Sequence, residues 1–307
     1  MLHAWAAKVR DVRAGIVYML LSCCFFAVMA ICVAFAQRDV SLDPAMTSAV
    51  RATVSAVLLV GLVRGDLRLL LGDGRPALWV RGFAGGAALL TYFYSLSSLG
   101  VGEAAFLNQT SGLWVALLAP LVVGEPTFRW VWIAGALSLT GMGLLAHPRH
   151  DAELAARLLG LSSGVAAAVA YLAIRAGGRG LRAETMIFYF STIGAALSLV
   201  LVVVRGAGLP RAPETWGWMF GAGAFATLGQ LTMTRAYLLA PAAPMAATSA
   251  AGPLIAALLG WWWLDQSPDV AGMVGMALIF LASVLLPLLS DLAASRPPAE
   301  SATERSR

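Results

Sequence analysis

Chemistry in this chain is confined to a few polar side chains set inside long apolar runs. Arg51 interrupts the run 44–63, about a third of the way in from one end. Asn108, Gln109, Thr110 and Ser111 interrupt the run 103–122, and Thr91, Tyr92, Tyr94, Tyr171 and Gln230 interrupt three others. These types bind rather than break bonds. A guanidinium anchors an anion, amides and hydroxyls hydrogen-bond, and aromatic faces stack on flat or cationic groups. No histidine falls inside a run, and none of the 16 carboxylates lies near the middle of one. The sole lysine, Lys8, leaves no Walker A loop, which excludes an ATP-driven pump. With no nucleophile–base constellation the chain is read as no enzyme, with no cofactor and no metal. His147-Pro148-Arg149-His150 reads as a solvated loop, and Cys23, Cys24 and Cys32 are too few and too apolar in setting for a disulfide frame.

The elements that carry these residues must be membrane helices. Of 307 residues, 60% are hydrophobic and only 12% charged, with a mean hydropathy of +0.80. A soluble domain keeps about a quarter of its residues charged. The apolar blocks run to about 20 residues, the length that crosses a bilayer core, where only helices satisfy their own backbone. Ten spans are expected, at about 14–36, 44–63, 77–97, 103–122, 129–146, 158–174, 183–204, 215–234, 242–262 and 270–289. The first is read as an uncleaved helix, because it is longer than the roughly 7–15 residues of a signal h-region. Residues 1–13 form a cytoplasmic lead, and 291–307 a polar, disordered tail.

Arginine and lysine set the orientation. With the N-terminus in the cytoplasm, fifteen of the 21 fall on the inner side, Arg64, Arg68, Arg75 and Arg81 among them, and five on the outer. Arg51 is then the only basic residue well within a span, and both termini lie inside. The net charge of +5 reflects this bias and gives no argument for nucleic acid.

A repeat organises the spans. Adding 140 to the numbers of Ala104–Leu145 aligns it with Pro244–Leu285, pairing Gly112 with Gly252, Ala116 with Ala256, Leu118 with Leu258, Glu125 with Asp265 and Gly135 with Gly275. Each half, 14–146 and 158–290, holds five spans. The odd number sends the second copy into the membrane from the opposite side. The expected fold is thus an all-α integral membrane protein of ten transmembrane helices in two inverted five-helix repeats. Such halves can exchange shapes around a central site.

On these residues the chain resembles the drug/metabolite transporter superfamily, and within it the ten-helix EamA-type permeases, over about residues 14–290. The markers are Gly124-Glu125-Pro126 after span four, Ala247-Thr248-Ser249-Ala250-Ala251-Gly252-Pro253 in span nine, and Arg51 in span two. The stretch from Gly102 through Thr110-Ser111 to Glu125 looks most like the branch that includes the S-adenosylmethionine permeases. That family often has proline in the middle of span four, where this chain has Leu113 and Trp114. Span nine keeps Pro253, so a bend is expected in span nine rather than in span four.

The candidate substrate residues are Arg51, Tyr92, Asn108, Ser111, Trp114, Tyr171, Gln230 and Thr248, with Gly112, Gly252 and Pro253 as hinges. Each has a structural alternative. Asn108, Ser111 and Thr248 would serve helix packing equally well. Tyr92 and Tyr171 would serve an interfacial belt, and Arg51 would snorkel outward or pair with Glu103. Glu103 is the one candidate for proton coupling; without it the chain is a facilitator or exchanger. The functional expectation is a permease of the bacterial inner membrane, working as a monomer or homodimer, whose partners are a small-molecule substrate and membrane lipid. Export of an amino acid or related metabolite is the first reading. Uptake or exchange of S-adenosylmethionine-like compounds and flipping of a lipid or polyprenyl phosphate are the alternatives.

Overall fold

The structure is a computed structural model that describes residues 2–39, 42–99, 101–127, 129–146, 154–178, 180–264 and 269–282. Among them are thirteen helices and no strand: α1 (Leu2–Ala36), α2 (Pro44–Leu62), α3 (Leu67–Leu71), α4 (Pro76–Leu99), α5 (Val101–Gln109), α6 (Ser111–Val122), α7 (Arg129–Ala146), α8 (Leu154–Gly177), α9 (Ala183–Arg205), α10 (Pro213–Leu239), α11 (Ala242–Ser249), α12 (Ala251–Leu264) and α13 (Val270–Phe280). Asp265, His147, His150 and the tail after 282 lie outside the described residues, as do the side chains of Glu103 and Lys8.

Helix starts follow local chemistry. Asp43 accepts the Ala45 N–H at 2.7 Å, and Pro44, whose missing N–H costs nothing at a first turn, opens α2. Asp269 caps α13 through the Gly272 N–H at 2.8 Å. α9 ends on Gly206 in the left-handed conformation (φ 63°), which a residue without Cβ adopts freely.

Among the described residues, six stretches are long and apolar enough to cross a membrane: Arg10–Ala36, Pro44–Leu62, Ala104–Val122, Leu154–Gly177, Ala183–Arg205 and Ala242–Trp263; Val270–Phe280 is apolar but shorter. The bundle is apolar outside, and polar side chains are buried among the apolar residues of its interior. Leu121, Val203, Val204 and Trp262 are exposed, whereas Ser48, Arg51, Arg81, Ser163, Ser191, Ser198 and Thr248 are buried. That inversion of the soluble pattern fits a lipid surround. α4 packs against α8 and α9, and α10 against α1 and α2.

The main interfaces map onto one another when the halves are exchanged. α1 packs on α10 as α8 packs on α4, and α2 meets α10 as α9 meets α4. α12 lies on α1 as α6 lies on α8, while α2 faces α9 and α7 faces α13. Gly141 and Gly275 stand so close at the α7–α13 crossing that a Cβ on either would strike the carbonyl oxygen of the other.

Both fourth helices of this scheme are interrupted. α5 passes to α6 at Thr110 (φ −56°, ψ −16°), and α11 passes to α12 at Ala250 (φ −62°, ψ −13°), 140 residues on. The sequence supports a bend in span nine better than one in span four; both are interrupted. Pro253 stands in the first turn of α12 and has no N–H to give the Ser249 carbonyl, which accepts from the Cys23 thiol at 3.6 Å instead. Beside each break a hydroxyl bonds back to its own helix: Thr110 Oγ1 to the Leu107 carbonyl at 2.6 Å, and Ser249 Oγ to the Ala246 carbonyl at 2.7 Å. Such back-bonding bends helices and competes with the regular ladder.

Candidate functional site

The two ends of the bundle are held differently. At one end the Glu125 carboxylate accepts the Arg175 Nε–H at 2.5 Å and, through its other oxygen, the Ala242 N–H at 2.8 Å. Arg175 also donates to the Leu238 carbonyl at 3.2 Å. One acid thereby ties the end of α6 to the ends of α8 and α10 and to the start of α11. A carboxylate is well suited there, because a helix N-terminus carries unpaired N–H groups and partial positive charge. The connector before α4 closes on the same end, with Arg75 donating to the Gly177 carbonyl at 3.1 Å and Thr185 to Leu69 at 2.8 Å. An open groove of about 480 Å³ lies beside the latch, lined by Val122, Val123, Glu125, Arg175, Ala176 and Gly178. At the other end Arg205 pairs with Asp43 at 3.4 Å, and Thr215 donates to Asp39 at 3.4 Å. The connector after α1 and the turn after α8 are thus at opposite ends.

Between these ends lies a cluster built around two arginines. Arg51 of α2 is 6% exposed and Arg81 of α4 is 1% exposed. The reading that Arg51 alone is buried, with Arg81 in an inner connector, is corrected: Arg81 is in the second turn of α4, covered by α9 and α10. Its Nη2 donates to Gln230 Oε1 at 2.7 Å, and its guanidinium lies 4.2 Å from the Phe190 ring centroid. Gly85, one turn further along α4, makes the room, since a Cβ there would overlap Arg81 Nη1 and the Phe190 ring. The polar contact of Arg51 is Met29 Sδ, 3.3 Å from Nη1. Arg51 is within electrostatic range of the Tyr92 and Tyr171 phenols, and Arg81 of Tyr171, Tyr237 and Arg51 itself. Tyr171 stacks on Tyr237 with centroids 5.2 Å apart. Among the described residues, the Nε atoms of both arginines and the Tyr237 hydroxyl have no hydrogen-bond partner.

Of the sequence candidates, Arg51, Tyr92, Tyr171 and Gln230 come together here. The others stand apart. Asn108 donates to Ser163 Oγ at 2.9 Å across the α5–α8 contact, and Thr248 bonds back to the Pro244 carbonyl at 3.0 Å. Ser111 is buried at the first residue of α6, and Trp114 packs on the main apolar core. Gly112 lines a crevice of about 20 Å³ between α6, α7 and α11, large enough for one water at most. Gly252 faces Cys23, where an added Cβ would lie 3.8 Å from the sulfur. Arg81, Phe190 and Tyr237 were missed. The available signal was Gly82, Gly85 and Gly86, which follow Arg81 within five residues and clear space beside its helix face. Among the described residues no group of three or more His, Cys, Asp or Glu could hold a metal.

Comparison with known proteins gives a consistent picture. A model of the EamA-like transporter family matches twice, over residues 13–146 and 154–287. The chain is 28% identical over 275 residues to the pseudopaline exporter CntI of Pseudomonas aeruginosa, covering 89% of this chain and 96% of that one. It is 27% identical over 222 residues to an uncharacterized transporter of Helicobacter pylori, covering 70% and 74%. To solute carrier family 35 member G1 of Homo sapiens it is 21% identical over 253 residues, covering 76% and 67%. One solved crystal structure superposes with a TM-score of 0.78 at 18% identity, covering 92% of this chain and 99% of that one, which shows a shared fold.

Proposed function

Because the chain belongs to the EamA-like transporter family of the drug/metabolite transporter superfamily, we propose that it is a secondary transporter that exports a small organic metabolite, an amino acid or a related compound, across the bacterial inner membrane. The observation that carries this reading is the matched interruption at Thr110 and Ala250, with α6 against α11. Broken helices facing each other across two related halves are the usual place for substrate in secondary transporters. The likeness to a protein named as an exporter supports the direction.

The division into repeats at 14–146 and 158–290, and their inverted threading as ten spans, belong to this proposal. They are supported by the double family match, by the exchange of interfaces, and by the ends of α1 and α8 at opposite ends of the bundle. In our reading both termini face the cytoplasm and the Glu125 latch closes the cytoplasmic end. Opening there requires Glu125 to release Arg175 and the start of α11, while Gly112, Gly252 and Pro253 accompany the movement of the half-helices. Glu103 remains the candidate for coupling to protons. An S-adenosylmethionine-like sulfonium is disfavoured, because two buried arginines repel a cation.

Labelling of single cysteines in a cysteine-free background tests the architecture. Residues 37–39 and 180–182 react from opposite sides of the membrane; reaction from a common side sinks the inverted scheme. Screening the purified protein for metabolites that raise its melting temperature tests the site, since a ligand that binds the folded state stabilises it. We expect the shift to be lost in Gln230→Ala, and its persistence in both Gln230→Ala and Asn108→Ala would refute the location.

A further inference from the structure

The two central arginines pose an electrostatic problem that the described residues do not solve. Neither pairs with a carboxylate among the described residues, whereas Arg75, Arg175, Arg205 and Arg235 each do. A buried ion without its counter-charge costs several kcal/mol. A guanidinium cannot escape the cost by losing its proton, as a lysine can. Arg51 and Arg81 are also near enough to repel each other. Among their donors the two Nε–H groups, like the neighbouring Tyr237 hydroxyl, are buried and have no acceptor among the described residues. Arg81 is nonetheless held fast, by Gln230 on one nitrogen and by the Phe190 ring on one face. An arginine held rigid and buried, with no carboxylate beside it among the described residues, is set up for a group that arrives from outside.

We propose that Arg51 and Arg81, with Tyr237, form an anion site that takes the carboxylate of the transported metabolite. This specifies the substrate class and rests on the reading of the protein as a metabolite transporter. Two guanidinium groups offer forks that match carboxylate oxygens, and the phenol supplies one further donor. The binding energy comes largely from relief: the anion neutralises two charges that the empty protein holds at a cost, so uncharged analogues gain little.

Melting of the purified full-length protein in a low-chloride buffer tests this. The probes are succinate, glutamate and citrate, each against the counterpart in which every carboxylate is converted to an amide, with inorganic phosphate as a separate arm. We expect at least one carboxylate to raise the melting temperature by several degrees and its amide counterpart to have no effect. Arg51→Met abolishes that shift and raises the melting temperature of the ligand-free protein, because it removes an unpaired buried charge. A purely structural Arg51 gives the reverse, a lower melting temperature on substitution, and that result overturns the proposal. Arg81→Lys, which keeps charge and folding but loses the fork, weakens the response about tenfold. A shift with phosphate alone, or none with any carboxylate, also overturns it. Transport of a neutral metabolite without a carboxylate shift would refute the anion site while leaving the transporter standing. A carboxylate shift without transport would do the opposite.

Discussion

The Glu125–Arg175 latch and the Arg51–Arg81 centre use the same side chain in opposite ways. At the latch, Arg175 has an acid, a carbonyl and a neighbouring helix start to share, and every charge is answered within the chain. At the centre two guanidinium groups are buried more deeply and answered by an amide, a thioether and a ring. The first arrangement is complete and holds one shape. The second is incomplete and favours any shape or ligand that completes it. A transporter needs both, a closure that is stable unaided and a centre whose energy changes on loading.

That contrast can be broken by substitution. The largest effect is expected for Glu125→Ala, which strands a mostly buried Arg175 and uncaps α11. It should cost about 3 kcal/mol, seen as a lower melting temperature, and adding Arg175→Ala should recover part of the loss. A cost near zero would mean that the latch does not hold the closed form. Gly85→Ala comes next, at about 1–3 kcal/mol, because the new methyl drives Arg81 and Phe190 from their places. Its cost should shrink in an Arg81→Met background; equal costs in both would show that the arginine is not the obstructing group. The smallest is Asn108→Ala, which removes one interhelical bond worth about 0.6 kcal/mol. If metabolite efflux from proteoliposomes falls far more than that loss of stability explains, Asn108 joins the centre rather than the packing.

How far the sequence revealed this depends on which forces are local. The apolar blocks, the 140-residue offset and the small polar stretches of spans four and nine follow from composition and spacing. The break at Thr110 was hidden because proline was taken as the signal, and span four has none near its middle; hydroxyl back-bonding accompanies both breaks but also occurs in unbroken helices, as at Thr192 of α9. Arg81 was misplaced for a different reason. An arginine a few residues inside a span reads as a flanking anchor, and only the packing of α9 and α10 over that face makes it central. Likewise Glu125 was visible as part of a motif, but its partner Arg175 is 50 residues away and is found only by the fold. In each case the residue was legible and its environment was tertiary.

The gap at Gly85 has a consequence beyond this molecule. Position 85 and position 81 share one volume, so neither can vary alone: a side chain gained at 85 evicts the guanidinium, and loss of the guanidinium frees 85 to grow. Across descendants of a common ancestor the two positions should therefore change together, and a lineage in which 85 has acquired bulk is one whose cargo has changed its charge.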